Sequence, residues 1–339
     1  MPVSYTDGRG RNPMSGPLLN VQGLEKYFTV GNGSHKQTLK AVDSVNLVVY
    51  PGETVGLVGE SGCGKSTLGR TILGLEKATE GFINFAGKNL VKLSPKEMRP
   101  LRKQMQIIFQ DPYAALNPRE QIFDLVKAPL DAFSDLPEEE KRKQVADMLK
   151  FVGIGEYHFE KYPYELSGGQ RQRVVIARAM ILHPSFVVCD EAVSALDVSI
   201  KAQILNLMKD LQEKTGVAYL FISHDMSVVR YLCDKIAVMY LGRIVEFGTK
   251  QEIFSHPFHP YTRALLSAVP VPDPDYKVNR IILKGDVPSP LHMPSGCRFH
   301  TRCPMARAEC AQNNDLFMHE VTPGHFVACP FAGIAEESH

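Results

Sequence analysis

The loop at residues 59–67 is the stretch whose residue types and spacing most clearly indicate chemistry. It reads Gly-Glu-Ser-Gly-Cys-Gly-Lys-Ser-Thr and lies between an apolar run at 54–58 and a predicted helix at 67–75. In this strand–loop–helix context, glycines let backbone N–H groups surround phosphate oxygens. Lys65 can reach β- and γ-phosphates, and the Ser66 hydroxyl can bind Mg²⁺. The complete G-x-x-x-x-G-K-[ST] pattern predicts a polyphosphate site rather than an ordinary Gly/Ser-rich turn.

Two apolar runs further along the chain end in residues suited to work on such a ligand. The run at 186–189 ends in Asp190 and Glu191, and the run at 218–223 ends before His224. Buried parallel strands place such residues at the ligand edge of a sheet. Adjacent acids are often just a turn and a lone histidine is usually structural, but a phosphate site needs a metal ligand and a base. We therefore expect Asp190 to hold Mg²⁺, Glu191 to polarise water and His224 to contact the γ-phosphate.

Other polar and aromatic residues depend on that context for their interpretation. Gln110 ends a predicted strand at 105–109 before a Pro/Asn loop, as a polar sensor at a mobile joint would, although alone it is an ordinary loop residue. Ser167 opens a predicted helix whose N-terminal amides form a second anion site, or else it is a simple N-cap. Tyr27 or Phe28, at the end of the first predicted strand, could stack on adenine, although aromatic residues there usually fill a core.

Composition excludes several classes of protein. The 339 residues are 44% apolar, and 38 Lys+Arg nearly balance 37 Asp+Glu, which is not the basic footprint of a nucleic-acid-binding protein. We find no run approaching the length of a membrane span and no cleavable leader. We therefore expect a globular, cytosolic chain with room for two domains, whose seven cysteines are thiols or metal ligands rather than disulfides.

The C-terminal region changes character beyond residue 250. It is rich in proline and carries Cys297, Cys303, Cys310 and Cys329. Because such a segment has little core of its own, we predict a Cys₄ staple of zinc or iron–sulfur. Paired Cys-x-x-Cys knuckles are absent and two of these cysteines precede proline, which favours [4Fe–4S] over Zn²⁺; four unligated thiols are the alternative. The other cysteines are interpreted as small apolar fillers: Cys63, Cys189 and Cys233.

The motifs together resemble those of ABC-transporter nucleotide-binding subunits. The resemblance covers residues 18–250 and includes the phosphate loop, Gln110, the family signature at 166–170, the strand ending in Asp190 and Glu191, the loop at 194–197 and His224. It implies an α/β P-loop NTPase fold of the ABC cassette type, with a mixed β-sheet core, an antiparallel β-subdomain and a helical subdomain at about 111–170. One departure is Ala192, where the family usually has proline; we expect ATPase activity to survive it.

The same resemblance implies ATP with Mg²⁺ as cofactors and a role for each motif. Two subunits pack head to tail, each completing the other's site. Glu191 is the base, His224 contacts the γ-phosphate, and Ser66, Gln110 and Asp190 organise Mg²⁺ and the phosphates. The remaining implied nucleotide contacts, including those that reach the partner's ATP, are Phe28 (or Tyr27), Gly59, Ser61, Gly62, Cys63, Gly64, Lys65, Thr67, Ser167, Gly168, Gly169, Gln170 and Asp197.

The C-terminal region is similar to that of dipeptide/oligopeptide-importer ATPase subunits, most of all the dipeptide-permease F-type. This implies a tail at 1–17, a cassette at 18–250 and a C-terminal domain with the Cys₄ site at 251–339. It also implies a peripheral location at the cytoplasmic face of the inner membrane, with a second ATPase subunit, two permeases, an extracytoplasmic peptide-binding protein and no nucleic acid. Importers of nickel, glutathione or another peptide-like solute are alternatives, and DNA-repair or translation ABC proteins are disfavoured because there is one cassette and near-neutral charge.

Overall fold

The computed structural model describes residues 16–33, 36–269, 280–312 and 317–332, so most of the predicted N-terminal tail lies outside the described residues. The strands of the described residues are, in chain order, β1 (Leu19–Val30), β2 (Gln37–Val49), β3 (Thr54–Val58), β4 (Glu80–Phe85), β5 (Lys88–Asn89), β6 (Met105–Ile108), β7 (Phe186–Asp190), β8 (Ala218–Ser223), β9 (Lys235–Tyr240), β10 (Arg243–Thr249), β11 (His319–Thr322) and β12 (His325–Val327). The α-helices are α1 (Lys65–Ile72), α2 (Pro95–Arg102), α3 (Pro112–Ala115), α4 (Ile122–Phe133), α5 (Glu138–Phe151), α6 (Gly168–Met180), α7 (Val198–Thr215), α8 (Met226–Leu232), α9 (Lys250–Ser255), α10 (Pro260–Ser267) and α11 (Ala308–Gln312).

The chain forms two units. The first contains the described residues within 16–49, 55–91 and 223–332, and the second contains residues 50–54 and 92–222. In the first unit an antiparallel sheet has the order β2-β1-β4-β5. The long β1–β2 ladder pairs Leu19 with Val49 and Val30 with Gln37, with shifts of register between them. This is the antiparallel β-subdomain that the sequence predicts.

A second set of strands in the first unit carries the phosphate loop. β3 lies parallel to β9, β10 returns antiparallel to β9, and β12 and β11 continue the sheet beyond β10. Every residue of β3 is buried, as expected for a parallel strand covered on both faces. The last strands come from the C-terminal region, so residues 319–327 belong to the same sheet as the strand that leads into the phosphate loop.

The C-terminal region therefore has the core that its sequence seemed to lack. Phe299, Phe326 and Val327 are almost completely buried. The rings of Tyr240 and Tyr261 lie 5.2 Å and 5.4 Å from that of Phe299. β9 and α10 therefore pack on the loop that carries Cys297 and Cys303, called the cysteine-bearing loop below. Aromatic packing of this kind and strand pairing stabilise the segment without a metal staple.

The second unit combines a short parallel sheet with helices. β6, β7 and β8 are parallel, with β7 in the middle. Within the helical subdomain expected at about 111–170, α4 and α5 are separate helices, because Pro137 at the N-cap of α5 cannot continue a helix. α4 packs on both α5 and α6. Within the described part of the chain, no helix has the length and apolarity needed to cross a bilayer.

Candidate functional site

The phosphate loop connects β3 to α1, and its glycines are required by close approaches. A Cβ on Gly59 would lie 2.1 Å from the Met239 carbonyl oxygen, and one on Gly64 would lie 2.0 Å from the Ala41 carbonyl oxygen. Gly64 also has φ = 105°, where it caps α1. Only glycine fits at such positions. α1 consequently begins at Lys65, two residues before the predicted start, and ends at Ile72 rather than Leu75.

Lys65 lies inside the turn that the loop makes. Lys65 is only 5% exposed, and its Nζ donates to the carbonyl oxygens of Gly59 and Glu60 at 2.8 Å each. Burial raises the pKa of the Cys63 thiol, although Lys65 acts in the opposite direction. Ser61 and Gly62 are exposed at the tip, and Ser66 and Thr67 are half-buried in the first turn of α1. A buried ammonium framed by backbone groups suits an anionic phosphate, so these residues fit the triphosphate that the sequence predicts.

The two candidates for adenine stacking differ in their surroundings. The Tyr27 hydroxyl donates a hydrogen bond to the carboxylate of Asp43. Burial, and after it this hydrogen bond, raise the pKa of Tyr27 above its ordinary value. Phe28 points to the opposite face of β1 and is half-buried, with Lys26 Nζ 4.4 Å from its ring centroid. Because the Tyr27 hydroxyl is engaged by Asp43, Phe28 is the better candidate.

Gln110 and Glu191 meet in the second unit. Gln110 follows β6 and its Nε2 donates to Glu191 Oε2 at 2.9 Å. Glu191 directly follows β7, and its φ of 50° is in the left-handed region, which is uncommon for a residue with a side chain. Backbone strain of this kind is typical of functional positions. Ala192 is 2% exposed, and with alanine at this position the Glu191 carboxylate still contacts Gln110. Asp190 is buried at the end of β7.

The signature segment (residues 166–170) forms a helix start with a capping box. Ser167 Oγ accepts from the Gln170 N–H at 3.3 Å, and the Gln170 side chain accepts from the Ser167 N–H at 3.0 Å. The amides of Gly168 and Gly169 lie in the first turn, where helix geometry provides no intrahelical acceptor. A Cβ on Gly169 would lie 2.6 Å from Ile200 in α7, so this glycine also permits close helix packing.

Asp197 and His224 lie at the starts of helices. Asp197 is the N-cap of α7 and accepts from the Ile200 N–H at 3.0 Å. His224 is exposed, and the next residue, Asp225, caps α8. The described contacts thus join Gln110 to Glu191 and Lys65 to the loop carbonyls. The nucleotide and Mg²⁺ contacts assigned to the other residues stay predictions.

The four C-terminal cysteines surround one cavity but do not form a metal centre. Cys297, Cys303, Cys310 and Cys329 line a cavity of about 120 Å³ with Phe299 and other apolar side chains. Among the described residues, no group of three or more His, Cys, Asp or Glu side chains could hold a metal ion. Burial raises the pKa of Cys297 to about 11 and also raises those of Cys303 and Cys329, so burial favours the neutral thiol at these positions. The predicted [4Fe–4S] cluster, its zinc alternative and the metal-binding assignment of these four cysteines are therefore wrong. Cys63, Cys189 and Cys233 are buried, as predicted.

Two polar clusters near the phosphate loop escaped prediction. The aspartate cluster consists of buried Asp43 with Tyr27, Arg243 and Arg298; burial acts to raise the pKa of Asp43, but Tyr27 and the two arginines lower it overall. The second cluster joins Glu60 of the phosphate loop to Tyr261 and Arg302. A carboxylate inside a phosphate-binding loop is a signal that a cation should lie nearby. Its partner is 242 residues away, so no local pattern identifies it.

Comparison with known proteins defines the class first. The ABC transporter family matches residues 42–194, and the family of oligopeptide/dipeptide transporter C-terminal regions matches residues 245–310. A solved dimeric structure of the ATP-binding cassette MJ0796 bound to ADP and Pi is 29% identical, with a TM-score of 0.62 over 68% of this chain and 98% of that one. CbiO1 from Clostridium perfringens is 31% identical, with the same TM-score over 71% and 91%. The fold is that of an ABC cassette, and the chain is an ABC ATPase, as predicted.

The curated relatives define the branch of that class. The Escherichia coli oligopeptide transport ATP-binding protein OppF is 48% identical over 92% of this chain and 95% of its own length. Bacillus subtilis AppF, also an oligopeptide transport ATP-binding protein, is 48% identical over 92% and 96%. Neither the names of these two relatives nor the descriptions of the two matching families mention an iron–sulfur cluster. This chain belongs to the ATP-binding subunits of oligopeptide/dipeptide ABC importers.

Proposed function

We propose that this subunit binds ATP and Mg²⁺ at the phosphate loop and hydrolyses ATP with Glu191 as the general base. The observation that carries the assignment of the base is the 2.9 Å hydrogen bond from Gln110 to Glu191. It fixes the direction of the Glu191 carboxylate at the end of a buried strand. A base held in this way is what in-line attack of water on a phosphoryl group requires.

The chain's own residues divide the remaining work. Bound ATP and Mg²⁺ supply the phosphoanhydride and a divalent charge. Lys65 and the loop amides bind phosphate oxygens, while Ser66 and Gln110, with Asp190 through water, orient the metal. Glu191 accepts the proton of the attacking water, and His224 donates to the γ-phosphate. Phe28 stacks on adenine.

The test of the base is Glu191→Gln, which keeps the shape and the contact with Gln110. We expect ATP binding to persist and phosphate release to fall by about 100-fold or more, since a general base contributes on that order. Glu213→Gln, an exposed change in the same unit, is the control and is expected to keep full activity. Full turnover by Glu191→Gln would refute the assignment.

We also propose that the subunit works as a head-to-tail dimer with a second, related ATPase. ATP would lie between the phosphate loop of one subunit and the signature segment of the other, where Ser167 and the first-turn amides supply donors to the phosphates. The similarity to a cassette described as dimeric supports this arrangement. ATP-dependent association of the Glu191→Gln subunit with the second ATPase, measured by sedimentation, is expected to disappear when Ser167→Arg is added; persistence would contradict the dimer.

The cargo and the membrane partners complete the proposal. We place the subunit at the cytoplasmic face of the inner membrane, beneath two permeases fed by an extracytoplasmic peptide-binding protein, with di- and oligopeptides as cargo. The second unit exposes Tyr113, Tyr157 and Tyr164, and tyrosine is enriched at protein interfaces. Purification of the tagged chain from membranes should recover both permeases and the second ATPase. A companion binding protein selective for nickel or glutathione would mean that the importer carries that solute instead of peptides.

A further inference from the structure

We propose that Tyr261 and Arg302, both in the C-terminal region, are positioning residues for ATP binding because they hold Glu60 of the phosphate loop. The inference rests on the ATP site proposed above. Residue 60 lies in the part of the chain matched by the general ABC family, whereas Tyr261 and Arg302 lie in the part matched by the peptide-transporter family. The contact therefore connects a feature of this branch to the nucleotide loop that the whole class shares.

Glu60 is held at three points. Its N–H donates to the Tyr261 hydroxyl at 2.8 Å, and its carbonyl oxygen accepts from Lys65 Nζ at 2.8 Å. Its carboxylate forms a two-pronged ion pair with Arg302, at 2.7 Å from Nη1 to Oε2 and 3.1 Å from Nη2 to Oε1. Such paired charge-assisted bonds fix direction as well as distance. Together they fix the orientation of the peptide planes on both sides of residue 60, and thereby the carbonyl oxygen that positions the Lys65 ammonium.

The residues that hold Glu60 are themselves rigidly packed. Tyr261 is fully buried and Arg302 is 9% exposed. The Tyr261 ring lies 4.8 Å from that of Tyr240, the last residue of β9, and 5.4 Å from that of Phe299. A close-packed aromatic cluster has few alternative rotamers. The support for the loop is thus built into the core shared by β9, α10 and the cysteine-bearing loop.

The ion pair also has an electrostatic role. An unpaired carboxylate in a phosphate-binding loop would repel a triphosphate, and Arg302 neutralises it at short range. Loss of Arg302 should weaken ATP in the ground state and the transition state alike, which raises Kd and KM and leaves kcat nearly unchanged. A contact that only attached the C-terminal region would lower thermal stability without this selective effect on ATP affinity.

The experiment measures Kd for ATP with Mg²⁺ by calorimetry on the full-length chain, together with KM, kcat and Tm. We expect Arg302→Gln to raise Kd about tenfold and Tyr261→Phe, which removes one hydrogen-bond acceptor, to raise it about threefold. Adding Glu60→Gln to Arg302→Gln removes the unpaired charge and should restore Kd to within about threefold of the native chain. Arg307→Gln, an exposed arginine of the same segment, is the control and should bind ATP normally.

Each result decides the matter. If Arg302→Gln changes Tm but leaves Kd within about twofold, or if the double variant binds no better than Arg302→Gln, the positioning role is refuted. If Arg302→Gln does not fold, Arg302→Lys, which keeps the charge but not the fork, should show an intermediate Kd, and an unchanged Kd there refutes it equally. Lys65→Ala separates the two proposals: if it binds ATP normally, the phosphate-loop assignment fails, whereas lost binding with a normal Arg302→Lys and Tyr261→Phe means that only the positioning role fails.

Discussion

Gln110 Nε2 lies 2.9 Å from Glu191 Oε2, although the two residues are 81 positions apart in sequence. The bond links the loop after β6 to the end of β7. The amide donates to the carboxylate and so fixes its direction. Glu191 keeps this contact with a left-handed backbone and with Ala192 as the next residue. The contact therefore connects the loop after β6 to the proposed base.

Removal of the glutamine amide should expose that coupling in the kinetics. In Gln110→Ala the Glu191 carboxylate loses the hydrogen bond from Gln110 and the site loses a proposed Mg²⁺ ligand, so we expect kcat for ATP to fall by about tenfold or more. Phosphate release at saturating ATP measures the effect. Gln106→Ala, in β6 and hydrogen-bonded to the Arg102 carbonyl oxygen, is the control. Equal losses from both substitutions would show that the effect is not specific to the contact with Glu191.

The aspartate cluster should dominate local stability in the first unit. Asp43→Asn leaves Arg298, whose side chain is 10% exposed, without its carboxylate partner. Removing one member of a buried ion pair costs about 3–5 kcal/mol, so the free energy of unfolding in urea should fall by that order. Asp131→Asn breaks two surface ion pairs, with Lys127 and Lys141, and should cost less than about 1 kcal/mol. Similar losses for the two variants would contradict the prediction.

The sequence predicts those structural features that are determined by residues close together in the chain. Strand periodicity gives β3, β7 and β8, and local glycine spacing gives the phosphate loop, because both properties lie within a few residues. Helix ends depend on the backbone conformation of single residues: α1 starts two residues earlier than expected because Gly64 adopts a left-handed conformation.

Long-range pairing explains what the sequence could not predict. The metal prediction assumed that the cysteine-bearing segment lacks a core, but β12 pairs with β10, and Phe299 packs between Tyr240 and Tyr261. Those partners lie far away in sequence. The ion pair of Glu60 with Arg302 was missed for the same reason. Clustered cysteines indicate proximity, and here proximity produces a buried thiol-lined cavity instead of a ligand set.

The exposed tyrosine next to the signature helix allows a test of coupling to the membrane subunits. Tyr113 lies under the Arg171 guanidinium, 3.7 Å from ring centroid to Cζ, and its hydroxyl accepts from the same arginine. Tyr113→Ala should leave the ATPase activity of the isolated subunit within about twofold, because the change removes no proposed catalytic group, but should reduce peptide uptake by the assembled importer. Tyr231→Ala, a half-exposed tyrosine of the first unit, is the control. Normal uptake with Tyr113→Ala would show that Tyr113 does not take part in the contact with the permeases.

His259 should make the folded state sensitive to acid. It is the N-cap of α10, and its Nδ1 accepts from the Tyr261 N–H at 3.1 Å, so this nitrogen must be unprotonated. Burial lowers the pKa of His259 to about 4, with Glu246 acting in the opposite direction. In the unfolded chain the pKa is about 6.5, so between these values the unfolded state binds more protons. The contribution is therefore complete above about pH 6.5 and is lost as the pH falls towards 4, by on the order of 3 kcal/mol.

The measurement is the free energy of unfolding between pH 7 and pH 4 for matched variants. His259→Asn keeps a side-chain oxygen that can cap α10 but does not titrate, so its stability should fall less steeply with acid than that of the native chain. Glu246, whose carboxylate accepts from the backbone N–H of His259 at 3.1 Å and from His325 at 2.8 Å, is present in both proteins. His292→Asn, at an exposed position, should retain the native slope. An equally steep loss in His259→Asn would mean that protonation of His259 does not oppose folding.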